Sequence, residues 1–135
     1  MTAQGPRKSV SDDHWSGRLA QAREFRESAR TLVTLESSRT YNPAITLMVN
    51  CAIAYADAVT AKRKGVVNRQ DRAAAPRLLR EVLGPSLPDA QEKFYRRLLG
   101  RKDEVSYGAR GTTLDEARRL LSDLDNFAQW AEGAL

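Results

Sequence analysis

Apolar residues recur at helical spacing in five stretches of the chain, and none of the segments between them reads as a strand. From Asp12 to about Glu36, Trp15, Leu19, Ala22, Ala29, Leu32 and Val33 share one face with Phe25 beside them, while Arg23, Arg26, Glu27 and Arg30 point elsewhere. Ser11 is placed to cap this helix. A polar link, Ser37 to Tyr41, leads to Asn42-Pro43, a capping side chain followed by the residue best tolerated in a first helical turn. The next segment, Pro43 to about Arg63, is apolar around most of its circumference and should be the central buried helix, stopped by Gly65. Its one polar line is Thr46, Asn50, Asp57 and Lys64.

Val66 to Gln70 reads as a turn and Asp71 to Leu83 as a shorter helix, with Pro76 either in its first turns or kinking it. Two more helices follow, about Leu87 to Ser106 and Leu114 to about Gly133. The second opens on Thr113 and Glu116 in a capping-box pattern and presents Leu114, Ala117, Leu121, Leu124 and Ala128 on one face. Residues 1–10 have no periodicity and are expected to form a loose tail, with residues 11–135 a single domain. Short links between amphipathic helices predict an all-α fold, a four- to five-helix up-and-down bundle.

The fourth helix breaks the simple pattern. Leu87, Ala90, Phe94, Leu98 and Val105 form its apolar stripe, and Arg101 falls in the middle. A guanidinium keeps its charge, so one aimed at a core or cleft needs an anion, a carboxylate or a solvated seam. Lys102 borders the same stripe, Ser106 lies one turn on, and Tyr107 precedes Gly108, where the helix should end. Asn50 and Asp57 need partners if they are buried, and an approach of either one to Arg101 or Lys102 is a natural expectation.

Composition narrows the function classes. At 135 residues the chain suits one domain with a real core, and its single cysteine, Cys51, excludes an internal disulfide framework and suits a reducing, cytoplasmic setting. Cys51 sits among Val49, Ala52 and Ile53 and reads as packing. The longest uncharged run, Thr40 to Ala56, is short for a membrane span, so no membrane association is expected. Between Lys62 and Arg110 there are 13 basic residues against 6 acidic; since the whole chain carries +5, the remainder is net negative. The surplus concentrates at Lys62, Arg63 and Lys64 with Arg69 and Arg72 around a turn, and on the fourth helix at Arg96, Arg97, Arg101 and Lys102, which favours a polyanion such as RNA. No metal-ligand spacing, glycine-rich phosphate loop or nucleophile motif is present, and no cofactor is expected. The single histidine, His14, lies in the first turn of the first helix and reads as solvent-facing or locally bonded.

A late helix carrying a basic residue and, after four to six intervening residues, a histidine or tyrosine, placed after a long apolar second helix, resembles the HEPN family, in particular its short single-domain actinobacterial members. Arg101 or Lys102 takes the basic position, and Ser106 or Tyr107 the partner position; the likeness runs from about Pro43 to Trp130. It implies a HEPN-like bundle, a homodimer that joins two such helices in a shared cleft, and metal-independent RNA cleavage in which the basic residue holds phosphate and the histidine activates the ribose hydroxyl. This chain departs from the pattern at the histidine, and neither serine nor an unperturbed tyrosine with a pKa near ~10 replaces imidazole as a base at neutral pH.

The resulting expectation is an RNA- or nucleotide-binding protein, in its toxin or defence form an endoribonuclease with a degenerate site. Arg101, Lys102, Ser106 and Tyr107 would be the catalytic set. Lys62, Arg63, Lys64, Arg97 and Arg110 would bind nucleic acid, with Asn50 and Asp57 in support. The alternative is a non-catalytic helical dimer that binds another protein as an adaptor or antitoxin-like partner. In a third reading, Arg101 is paired to a carboxylate such as Asp57 for structure alone, in a generic helical DNA-binding or adaptor domain.

Overall fold

The computed structural model describes residues 7–35, 40–69, 71–107 and 111–135, the side chains at 106 and 107 excepted. Five α-helices dominate: α1 (His14–Val33), α2 (Asn42–Lys64), α3 (Ala75–Leu83), α4 (Asp89–Tyr107) and α5 (Leu114–Gly133). The long helices α1, α2, α4 and α5 form an all-α up-and-down bundle, with α3 a short bridge between α2 and α4. Their directions follow from cross-links. Arg18 on α1 meets Asp57 on α2, Arg30 meets Asp125, and Arg97 on α4 meets Asp123 on α5. Tyr55 near the end of α2 meets Glu132 near the end of α5, so these two helices run in parallel.

Helix α2 occupies the centre because thirteen of its side chains, from Ala44 to Ala61, are buried against its neighbours. By length and composition it would suffice to cross a membrane, with a mean hydropathy of 1.5 over its apolar window, yet 72% of that window is buried inside the bundle. Such a helix is what a small domain needs at its core, since each fully buried aliphatic side chain contributes about 1.5–3 kcal/mol. Phe94, Tyr95, Phe127 and Trp130 close the α4–α5 side as tilted ring pairs 5.4–5.8 Å apart. Of the stripe predicted on α4, Leu87, Phe94 and Leu98 are buried, whereas Ala90, in the first turn, is exposed.

Local punctuation works as the sequence implies at several points. Gly65 ends α2 with φ 66°, in the left-handed region where a Cβ is penalised. Pro76 lies in the first turn of α3, so it does not kink the helix, and a single 3-10 turn, Arg72–Ala74, leads into it. The Thr113 hydroxyl accepts from the Glu116 N–H while the Glu116 carboxylate accepts from the Thr113 N–H, completing the capping box.

Four expectations are corrected. The N-terminal segment is not loose throughout: Arg7–Ser9 forms a strand, β1, antiparallel to Val66–Asn68, β2, where a turn is predicted. Val10 extends the pairing by donating to the Gly65 carbonyl. Asn42 is not a cap; Tyr41 holds that position, and the Asn42 side chain accepts a hydrogen bond from elsewhere. Ser11 does not cap α1 either, since its hydroxyl donates to Asp13.

Candidate functional site

Arg101 and Lys102 are adjacent on α4, so their side chains leave the helix about 100° apart, and the structure sends them to different surfaces. Arg101 turns inward and is 7% exposed. Its Nη2 donates to Thr112 Oγ1 at 2.8 Å, and the Thr112 hydroxyl donates in turn to Asn42 Oδ1 at 2.6 Å. Backbone contacts lock the same corner: Thr112 N–H donates to Thr40 Oγ1 and Tyr41 N–H to the Thr112 carbonyl. Glu116 and Glu104 each lie 3.8 Å from the guanidinium, close enough to balance its charge without a hydrogen bond. The Nε and Nη1 atoms are buried with no hydrogen-bond partner. Arg101 therefore ties α4, the α4–α5 link and the start of α2 together from inside one chain.

Lys102 instead lines an open cavity of about 670 Å³ between α4 and the segment entering α3. Arg72, Arg96 and Lys102 supply its cations, Asp71 and Asp103 its acids, and Ala73, Pro76 and Leu99 its apolar floor. Arg96 is shared with Glu92 at 2.9 Å. Arg72 is exposed and makes no ion pair among the described residues.

Arg72 also borders a second cavity, of about 350 Å³, lined by Arg18, Phe25, Asn50, Ile53, Asp57, Asn68 and Ala75. Here the polar line of α2 finds its partner, though not on α4. Asp57 Oδ2 is held by Arg18 Nη2 at 2.9 Å, so neither Asp57 nor Asn50 supports Arg101. Burial pushes the Asp57 carboxyl up, against the opposing pull of Arg18 and the nearby His14. The Tyr95 hydroxyl, within electrostatic reach of Asp57, Arg18 and Arg72, is fully buried without a hydrogen-bond partner, and its pKa is driven upward chiefly by burial. Sequence reasoning missed Arg18 and Tyr95, and grouped Arg72 with the basic end of α2 rather than with Lys102. Antiparallel folding of the first helix onto the second through their short link would have placed Arg18 opposite Asp57.

The other predicted cations do not gather around Arg101. Lys62, Arg63 and Lys64 are exposed at the far end of α2, about 30 Å from Asn42 along the helix. Lys62 sits 4.3 Å over the Trp15 ring, and Arg63 donates to the Ala134 carbonyl beyond the end of α5. Arg97 pairs with Asp123 at 2.9 Å on the α4–α5 side, away from Lys102. Ser106 and Tyr107 end α4, but their side chains, like all of Arg110, lie outside the described residues. Cys51 is buried, and its thiol is pushed up to about 12 by burial, which leaves it un-ionised near neutral pH. Among the described residues no three His, Cys, Asp or Glu side chains cluster to hold a metal ion.

Comparison with protein-family models and with curated proteins found no match. The fold and the geometry define an all-α helical bundle with a cationic groove between α4 and the entry to α3.

Proposed function

We propose that this protein binds RNA or nucleotide phosphate in the groove formed by Arg72, Arg96 and Lys102, without cleaving it. The convergence of three cations from two elements on one open cavity carries this reading. Arginine and lysine over an apolar floor suit a phosphodiester with an adjoining base or sugar. The HEPN resemblance and the homodimer it implies remain part of the proposal, with one change of roles. Lys102, not Arg101, takes the phosphate position, because Arg101 is engaged inside its own chain. Cleavage is set aside because the chain's one histidine lies on α1, near Asp57, and no imidazole stands on α4.

Fluorescence anisotropy with a labelled single-stranded RNA tests this directly. Arg72→Ala with Arg96→Ala and Lys102→Ala should weaken binding by at least about ten-fold, since each charge-assisted contact contributes about 1.5–3 kcal/mol at best. Arg101→Met should leave affinity unchanged. Wild-type affinity in the triple variant, or loss of binding on replacing Arg101 alone in a folded protein, overturns the assignment.

A further inference from the structure

The cavity of about 350 Å³ between α1 and α2 meets the cationic groove at Arg72, and its lining differs in kind. It holds an ion pair, Arg18 with Asp57, two amides, Asn50 and Asn68, and the apolar side chains of Phe25, Ile53 and Ala75. Its volume lies at the lower end of the range for small-ligand sites. Part of this lining is already engaged, since Arg18 Nη1 donates to Gln21 and Asn68 Nδ2 to the Asp71 carbonyl. Arg18 Nη2 meets Asp57 Oδ2 at 2.9 Å, and the Asn50 amide makes no side-chain hydrogen bond among the described residues. Behind the lining, Arg18 Nε and the Tyr95 hydroxyl are buried without partners. Unmet polar groups are uncommon in a folded core, and of those here it is the Asn50 amide that stands on the cavity lining.

From this arrangement we infer that the cavity is a base-recognition pocket for a guanine nucleotide whose phosphate lies on Arg72 and the adjoining cations. The inference rests on the phosphate-binding reading above and adds the identity of the base. Asn50 and Asp57 are two turns apart on one line of α2, about 10 Å along the axis. That spacing suits a bicyclic base lying between them better than a single ring. Guanine presents an acceptor, O6, beside two donors, the N1–H and the N2 amino group. A guanidinium next to a carboxylate offers the complementary donor and acceptors: Arg18 donates to O6, and Asp57 accepts from N1–H and N2–H. Adenine offers the carboxylate a single donor group, and the pyrimidines leave the span to Asn50 unfilled. Phe25 and Ile53 supply the apolar walls that nucleobases favour. The ligand is a guanine nucleotide either free or as one residue of an RNA strand, the recognised chemistry being the same.

Isothermal titration with the four nucleoside monophosphates, on the whole protein, tests the inference. GMP should bind at least about ten-fold more tightly than AMP, CMP or UMP, the worth of one well-made hydrogen bond, and Asp57→Asn should abolish that preference. Because Asp57→Asn leaves Arg18 without its counter-charge, Asn50→Ala is a second variant, expected to weaken GMP about five-fold while leaving the protein folded. In the wild type, the Asn50 side-chain amide resonances should shift on adding GMP. A guanine-containing oligonucleotide that competes with GMP assigns the site to an RNA residue, whereas GMP binding without competition assigns it to the free nucleotide; both support guanine recognition. Equal binding of all four monophosphates, lost in the Arg72, Arg96 and Lys102 triple variant, overturns the base pocket and leaves the phosphate groove standing. Absence of both nucleotide and RNA binding overturns both.

Discussion

Arg101 shows how little a residue's type says until its surroundings are known. Its guanidinium is almost wholly removed from water, makes one hydrogen bond to Thr112, and keeps two nitrogens unpartnered. Burying a cation in this way is a poor source of stability, and replacing it with an apolar side chain of similar length is often neutral or favourable. Arg101→Met should therefore shift unfolding free energy by less than about 1 kcal/mol, and Arg101→Ala should cost about 2–3 kcal/mol through lost packing of the aliphatic stem. Urea melts of the two variants check this; equal, large losses in both would show that the charge itself holds the corner together. The expectation that an inward arginine on α4 needs an anion was half legible in the sequence. Its isolation on an apolar stripe was visible, but Thr112 and Glu116 reach it only through the α4–α5 packing, which no local pattern encodes.

Glu132 gives the residue scale its pH dependence. The hydrogen bond from Arg23 is the largest influence holding its carboxyl below the ordinary 4.5, with the Tyr55 hydroxyl adding to it. A carboxylate whose folded pKa is depressed contributes stability that is present above its unfolded pKa and lost as pH falls through the lowered value. Asp57 acts in the opposite sense, since burial raises its carboxyl and acid relieves the cost of its charge. Glu132→Gln should lower the melting temperature at pH 7 and flatten its decline below about pH 4.5. Thermal melts from pH 7 to pH 3 read this out, and an unchanged acid slope contradicts it.

Helix boundaries were the most legible feature because their signals are local. Gly65, Pro76 and the Thr113–Glu116 box act through neighbouring backbone, so their positions in the chain announce their roles. Thr113→Ala removes the hydroxyl that accepts from the Glu116 N–H and should cost about 1 kcal/mol, within the usual range for a lost cap. Denaturant melts check it, and a change under about 0.3 kcal/mol would mean that the start of α5 is held by packing instead. The pairing of β1 with β2 was illegible for the converse reason. Each strand has three residues, too few for an alternating pattern, and their meeting depends on α1 folding back along α2. The same antiparallel packing brings Arg18 to Asp57, which is why the polar line of α2 was visible while its partner was not.

At the scale of the whole molecule, the positive charge divides into two populations. Arg23, Arg26, Arg30, Arg80 and Arg97 are engaged with carboxylates that tie helices and turns together, and Arg63 is engaged with a backbone carbonyl. Arg72, Arg96 and Lys102 surround the groove between α4 and the entry to α3, Arg96 while also paired with Glu92. Counting charge along the sequence could not separate these populations, because the carboxylates that hold the first lie as many as 109 positions away. The separation also accounts for the failure of Lys62, Arg63 and Lys64 to join the motif helix, since α2 holds them at the opposite end of the bundle.

The salt dependence of single-stranded RNA binding tests the groove most directly. Three phosphate contacts predict that log K falls against log salt with a slope of about −2 in the wild type. In Arg72→Ala with Arg96→Ala and Lys102→Ala the slope should approach zero and affinity should drop. A wild type that does not bind, or a triple variant that keeps the full slope, would contradict the account.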